Sequence, residues 1–296
     1  LIHTREARMK KSFPVKKDSV QLLVKDYKNF IKQHSENANA FEAARSEALL
    51  FAYYLDQKDS AISILSSLIL NGRTSMHLKS KSKIDLGDIY LLKNEPWEST
   101  LLYSQVEKIQ KETPLGYEAK LKNAKLSYYR GDFRLAQEHL DILKQATTRE
   151  IANDALDLSI LIKENIMVDS TGEALKEYAA IELLLYQNKT DEALQKMQML
   201  KEGRVLKVSQ EEAFLKYGKI ELGKLKKSSE DSIFVNVSNH TILDDVYWLE
   251  ANIRMKQSEF DKCISLLQKI RDEYPDDILS DDAYFLQGDI YENQLH

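Results

Sequence analysis

Along most of the chain apolar residues recur at alternating steps of three and four, the spacing that gathers them on one side of an α-helix. Short polar corners break these runs. Between residues 118 and 144 the small side chains Asn123, Ala124 and Ser127 lie on one helical stripe. Gly131, Asp132 and Phe133 then interrupt it, and Ala136, Leu140 and Leu143 follow at four and three. Gly131 is expected to take a positive φ that closes the first helix, with Asp132 capping the second. The stretch therefore predicts two antiparallel helices joined by a tight corner.

The same arrangement recurs. Ala48, Leu49 and Ala52 lead to Ala61, Leu65 and Leu68; Leu86, Gly87 and Tyr90 to Ser99, Tyr103 and Val106; Tyr247, Ala251 and Arg254 to Cys263, Leu267 and Ile270, with Pro275 ending that second helix. Taking Leu49, Gly87 and Ala124 as anchors, the period is 38 and then 37 residues. Small residues suit these positions because paired helices approach closely there. The middle is less regular. Helices are predicted over 151–166, with Asn153 or Asp154 near the start, and over 173–187, 191–201 and 210–224, the last with Gly218 as its small residue. The polar, β-branched stretch 226–241 is the poorest helix former in the chain and reads as an irregular or partly extended insertion. Asp276, Asp277, Asp281 and Asp282 precede a last first-type helix around Gly288, which Ser280, Asp281 or Asp282 is expected to cap. That helix would lack a pairing face, so the native protein is expected to continue.

This register matches the tetratricopeptide template of a helix-turn-helix unit of 34 residues or a little more. The expectation is an all-α protein, a right-handed α-solenoid forming one domain over 1–296, irregular over 203–241 and carrying its insertion at 226–241. Composition agrees, since nine glycines and four prolines in 296 residues leave little material for turns.

Charge narrows the function. A net charge of −5 lacks the basic stripe that a phosphate backbone requires, which argues against nucleic acid. The balance is uneven: nine Lys and Arg against three acids over 1–33, and a carboxylate excess beyond Ser228. Such ends are solvated faces or steer a partner. No apolar run is long enough to span a membrane. Cys263 is the only cysteine, so the chain can form no internal disulfide. The six histidines show no ligand spacing, the aspartates around Ile278 and Leu279 lack the alternation and glycine of a calcium loop, and no phosphate loop or nucleophile elbow appears. No catalytic residue, metal or cofactor is assigned.

The remaining signal is aromatic. If first helices line a concave face, the residues pointing into it are Tyr53, Tyr54, Leu91, Leu92, Tyr128, Tyr129, Tyr178, Tyr186, Trp248, Asn252 and Phe285. Tyrosine and tryptophan combine an apolar body with a polar tip, which suits recognition of a protein or peptide partner. The expected function is a non-enzymatic scaffold; the alternative is a sensor that closes around a short peptide or glycan, with 226–241 as a flap.

The residues from about Ala43 to Leu200, and again from Leu243 to Leu295, resemble the C-terminal half of a large tetratricopeptide-repeat protein common in Bacteroidetes. The last two units are also similar in spacing to repeats of outer-membrane-assembly lipoproteins. Relatives of the first kind carry a signal peptide and further repeats. The resemblance implies a periplasmic or outer-membrane-associated protein that joins an envelope complex, with a cytoplasmic location left open. It supplies no reaction. Asp-Ser sequences at Asp18, Asp59 and Asp231 resemble short O-glycosylation sites of such proteins.

Overall fold

The computed structural model describes residues 2–11, 15–145, 148–168, 172–202, 204–209, 226–227, 232–236 and 242–294. The chain divides into two compact units, Leu1–Leu126 with Glu138–Leu156, and Ser127–Gln137 with Asp157–His296.

The first unit contains α1 (Ile2–Lys11), α2 (Lys17–Gln33), α3 (Ala38–Tyr54), α4 (Lys58–Leu70), α5 (Met76–Leu92), α6 (Pro96–Ile109) and most of α7 (Pro114–Tyr129). Helices α1 to α6 each pack on their chain neighbours, and α3 also packs on α5. Their starts are chemically marked. The Asn37 side chain accepts from the Asn39 amide at 2.9 Å, Ser75 Oγ from Leu78 at 3.2 Å, and Thr113 Oγ1 from Gly116 at 3.2 Å. Pro96 opens α6, where its missing amide costs nothing. The second unit contains α10 (Glu173–Tyr186), α11 (Thr190–Lys201), α12 (Leu243–Lys256), α13 (Phe260–Glu273) and α14 (Ile278–Asn293). Here α10 packs on α11, α11 on α12, α12 on α13, and α14 on both α13 and α12. The residues of α8 (Phe133–Leu143) and α9 (Arg149–Val168) are shared between the units.

Five corners repeat one backbone device. Asp56, Asn94, Gly131, Asn188 and Ser258 all have φ between 55° and 76°, following α3, α5, α7, α10 and α12. The next amide reaches back to close the helix end: Glu95 to Tyr90 O at 2.8 Å, Asp132 to Ser127 O at 2.8 Å, Lys189 to Leu184 O at 2.9 Å and Glu259 to Arg254 O at 2.9 Å. After α3 the closing bond spans one residue more, Gln57 bonding Phe51 O at 2.8 Å. That extra residue moves the first anchor from Leu49, which is only half-buried, to the buried Ala48.

Every second helix then buries the same stripe at i, i+4 and i+7: Ala61, Leu65 and Leu68 in α4; Ser99, Tyr103 and Val106 in α6; Ala136, Leu140 and Leu143 in α8; Ala193, Met197 and Leu200 in α11; Cys263, Leu267 and Ile270 in α13. Each large apolar member contributes about 1.5–3 kcal/mol by leaving water. In the α5–α6 pair Ser99 Oγ donates to Gly87 O at 2.7 Å, and a Cβ on Gly87 would lie 2.5 Å from Tyr103 Cε1. The ring cannot swing aside freely, because its hydroxyl donates to Asp88 Oδ1 at 2.6 Å. Gly87→Ala is therefore expected to destabilise by about 1–3 kcal/mol in thermal melts. Adding Tyr103→Leu should cost less than the sum of the two single changes.

The fold is helical apart from the region expected to be irregular, 203–241, where β1 (Arg204–Ser209), β2 (Lys226–Lys227) and β3 (Ser232–Asn236) form an antiparallel sheet in the order β1-β3-β2, with a register shift between Arg204 and Leu206. Ile233 and Val235 make β3 a better strand than helix. β1 packs on α10 and α11 within the second unit. The last helix is capped by Asp277, whose carboxylate accepts from the Leu279 amide at 2.8 Å, and not by Ser280, Asp281 or Asp282. Asn153 and Asp154 lie inside α9, which begins at Arg149. The helix expected over 210–224 falls outside the described residues.

Candidate functional site

In the first unit the first helices carry a ladder of charge. Arg45 on α3 grips Asp85 on α5 with two nitrogens, Nη2 to Oδ1 at 2.8 Å. One turn further along α5, Asp88 accepts from Lys122 Nζ on α7 at 2.9 and 3.0 Å. Asp85 is only 7 % exposed. Burial raises its carboxyl above the usual range, more than Arg45 lowers it. Glu118, on α7, is also raised, first by burial. The ladder joins consecutive hairpins through polar groups that the sequence pattern did not single out, since their separations of 40 and 34 residues match no local motif.

In the second unit Tyr128 and Tyr129 from the end of α7, Tyr178 and Glu182 from α10, and Asp244 and Asp245 from the first turn of α12 converge. Ring centroids of Tyr128 and Tyr129 are 5.7 Å apart, and Tyr128 lies 5.9 Å from Phe133. Burial first, and then the charge of Glu182, pushes all three phenols up, so they stay protonated hydrogen-bond donors at physiological pH. Asp245 is pushed up to about 8, by burial first and then by Asp244, Asp277, Glu182 and Glu164. Asp244 rises too, by burial and by Asp277. A helix N-terminus normally favours carboxylates; here burial and like charge outweigh it.

The aromatic stripe inferred from the sequence divides accordingly. Leu91, Leu92, Tyr128 and Tyr178 are buried and serve as packing, not as surface for a partner, because neighbouring helices close over them. Tyr54, Tyr129, Tyr186, Trp248 and Asn252 are half-buried, and the Asn252 amide donates back to Trp248 O at 2.9 Å. Tyr53 is 43 % exposed and Phe285 81 %. Across α7 and α10, Tyr128, Tyr129 and Tyr178 are brought together. The carboxylates beside them went unseen because a pair of aspartates in a first helical turn reads as a dipole device.

Among the described residues no three His, Cys, Asp or Glu side chains are arranged to hold a metal ion. Among them, too, no helix is long and apolar enough to cross a membrane. Cys263 is buried in the α12–α13 core, and burial pushes its thiol up. No protein-family model matches the chain, and no curated protein matches it significantly.

Proposed function

We propose that each unit is a stretch of right-handed α-solenoid of the tetratricopeptide type, and that the protein is a scaffold whose first-helix face binds another protein. The observation that carries this reading is the fivefold recurrence of one corner and one buried stripe. Hairpins of this kind bury their apolar stripes on each other and leave the opposite surface for recognition. Around Tyr53 and Glu118 that surface combines aromatic area with charge, which suits a polypeptide ligand. The sequence resemblance favours a partner within the bacterial envelope.

Placing a photo-crosslinking residue at Tyr53 or Glu118 is expected to trap the same partner from envelope extracts, whereas the exposed second-helix position Ser67 should trap none. Equal capture from all three positions would sink the proposal.

A further inference from the structure

Where three helices of the second unit meet, carboxylates and phenols are gathered without an obvious structural reason. Tyr128 and Tyr129 end α7, Tyr178 and Glu182 lie one turn apart on α10, and Asp244 and Asp245 open α12. Tyr178 is their common neighbour: the charges of Glu182, Asp245 and Asp244 all act on its phenol. Asp245 in turn feels Glu182, Glu164 from α9 and Asp277 from the turn before α14.

Two buried atoms in this cluster make no hydrogen bond. The Tyr128 ring packs, with 1 % of the residue exposed, yet its hydroxyl faces Glu182 and Tyr178 without closing a bond to either. Asp244 is 5 % exposed, and its Oδ1 also lacks a partner. Buried polar atoms are paired in all but a few cases, because an orphan has given up water and gained nothing. An ionised carboxylate can only accept, and a phenol oxygen accepts as well as donates, so a donor satisfies both. The charges that press hardest on Asp245 are all negative, which makes a cationic donor the favoured one. The rim is reachable, since Tyr129, Glu182 and Asp245 are half-buried.

We infer that this cluster takes up a primary ammonium group, which enters past Asp245 and donates to its carboxylate and to the Tyr128 hydroxyl. An ammonium carries three freely turning donors, which suit acceptors on different helices better than the planar fork of a guanidinium does. The cluster shares no residue with the surface around Tyr53 and Glu118, and failure of the inference would leave that reading untouched.

The test titrates the whole chain calorimetrically with acetyl-Ala-Lys-Ala-amide. Saturable binding in the millimolar range is expected at about pH 8, and none with norleucine in place of lysine. Affinity should fall about tenfold per pH unit from about pH 8 towards about pH 6, because Asp245, pushed up to about 8, must release its proton before the ammonium pairs with it. Asp245→Asn should weaken binding about tenfold or more and remove that slope. Tyr128→Phe should weaken it about threefold to tenfold with the thermal midpoint unchanged or higher, since the change deletes a buried hydroxyl that bonds nothing. A packing role alone would move the midpoint and spare the binding. Butylamine separates the sources of the group: affinity equal to the peptide's marks a free amine as the ligand, and weaker affinity marks a lysine side chain of a polypeptide. Three outcomes overturn the inference: no saturable binding of either probe, equal binding of the norleucine peptide, or binding indifferent to both Asp245→Asn and Tyr128→Phe.

Discussion

Arg45→Ala is expected to cost about 3–5 kcal/mol of stability near neutral pH, because it leaves the Asp85 carboxylate buried without its main partner. Asp85 sits on α5 with little exposure, and its carboxyl lies above the usual range even with the guanidinium in place. Lys122 lowers it only weakly, being engaged with Asp88. A raised carboxyl contributes stability that is present below the unfolded value and lost as pH rises through the folded one. Without Arg45 the folded value rises further, so the deficit should be largest at neutral pH and shrink towards about pH 4, where Asp85 takes up a proton. Asp85→Asn alone should cost less than Arg45→Ala, and Arg45→Met with Asp85→Leu should approach the wild type, since two apolar groups need no ionic partner. Urea titrations measure each variant, and Arg45→Met and Asp85→Leu made singly complete a double-mutant cycle with the double variant and the wild type. A loss below about 1 kcal/mol for Arg45→Ala would show that water reaches Asp85 and that the ladder contributes little.

The hairpins were legible in the sequence because they depend on spacing. Ala136, Leu140 and Leu143, or Cys263, Leu267 and Ile270, advertise a buried stripe through composition alone, and the structure buries all of them. At Gly131 the positive φ itself was legible, because glycine signals it. At Asp56, Asn94, Asn188 and Ser258 the same conformation is taken by small polar residues that also serve as caps and loop residues. The misplaced anchor at Leu49 follows from one extra corner residue, which a fixed period conceals. Strands β1 to β3 were half visible, as a failure of helix propensity over 226–241, while the pairing of β1 with β3 is a long-range fact that local pattern does not encode. The site was least legible. Aromatics at first-helix positions look alike whether they face solvent or a neighbouring helix, so Tyr53 and Tyr128 were read together although one is exposed and the other buried. The charge ladder arises between helices 40 and 34 residues apart in the chain, and no local rule pairs Arg45 with Asp85 or Asp88 with Lys122.

The second large effect is expected from pH, in the second unit. Asp245 has a folded value of about 8 against an ordinary 3.8, so between these limits the folded protein keeps a proton that the unfolded chain releases. Stability should therefore decline as pH rises across that window and level off beyond it. Groups facing Asp245 from α9, α10, α12 itself and the turn before α14 are Glu164, Glu182, Asp244 and Asp277, and every one of them drives the value upward. Asp245→Asn removes the titration while keeping the shape. It should match the wild type near pH 4 and exceed it by about 2–4 kcal/mol near pH 9, less than a lone group would give because Asp244 and Asp245 share the penalty. Asp244→Asn should lower the value of Asp245 and flatten the profile in part. Denaturation midpoints measured from about pH 4 to about pH 9 decide the matter: parallel curves for wild type and Asp245→Asn would mean that solvent screens the carboxylate.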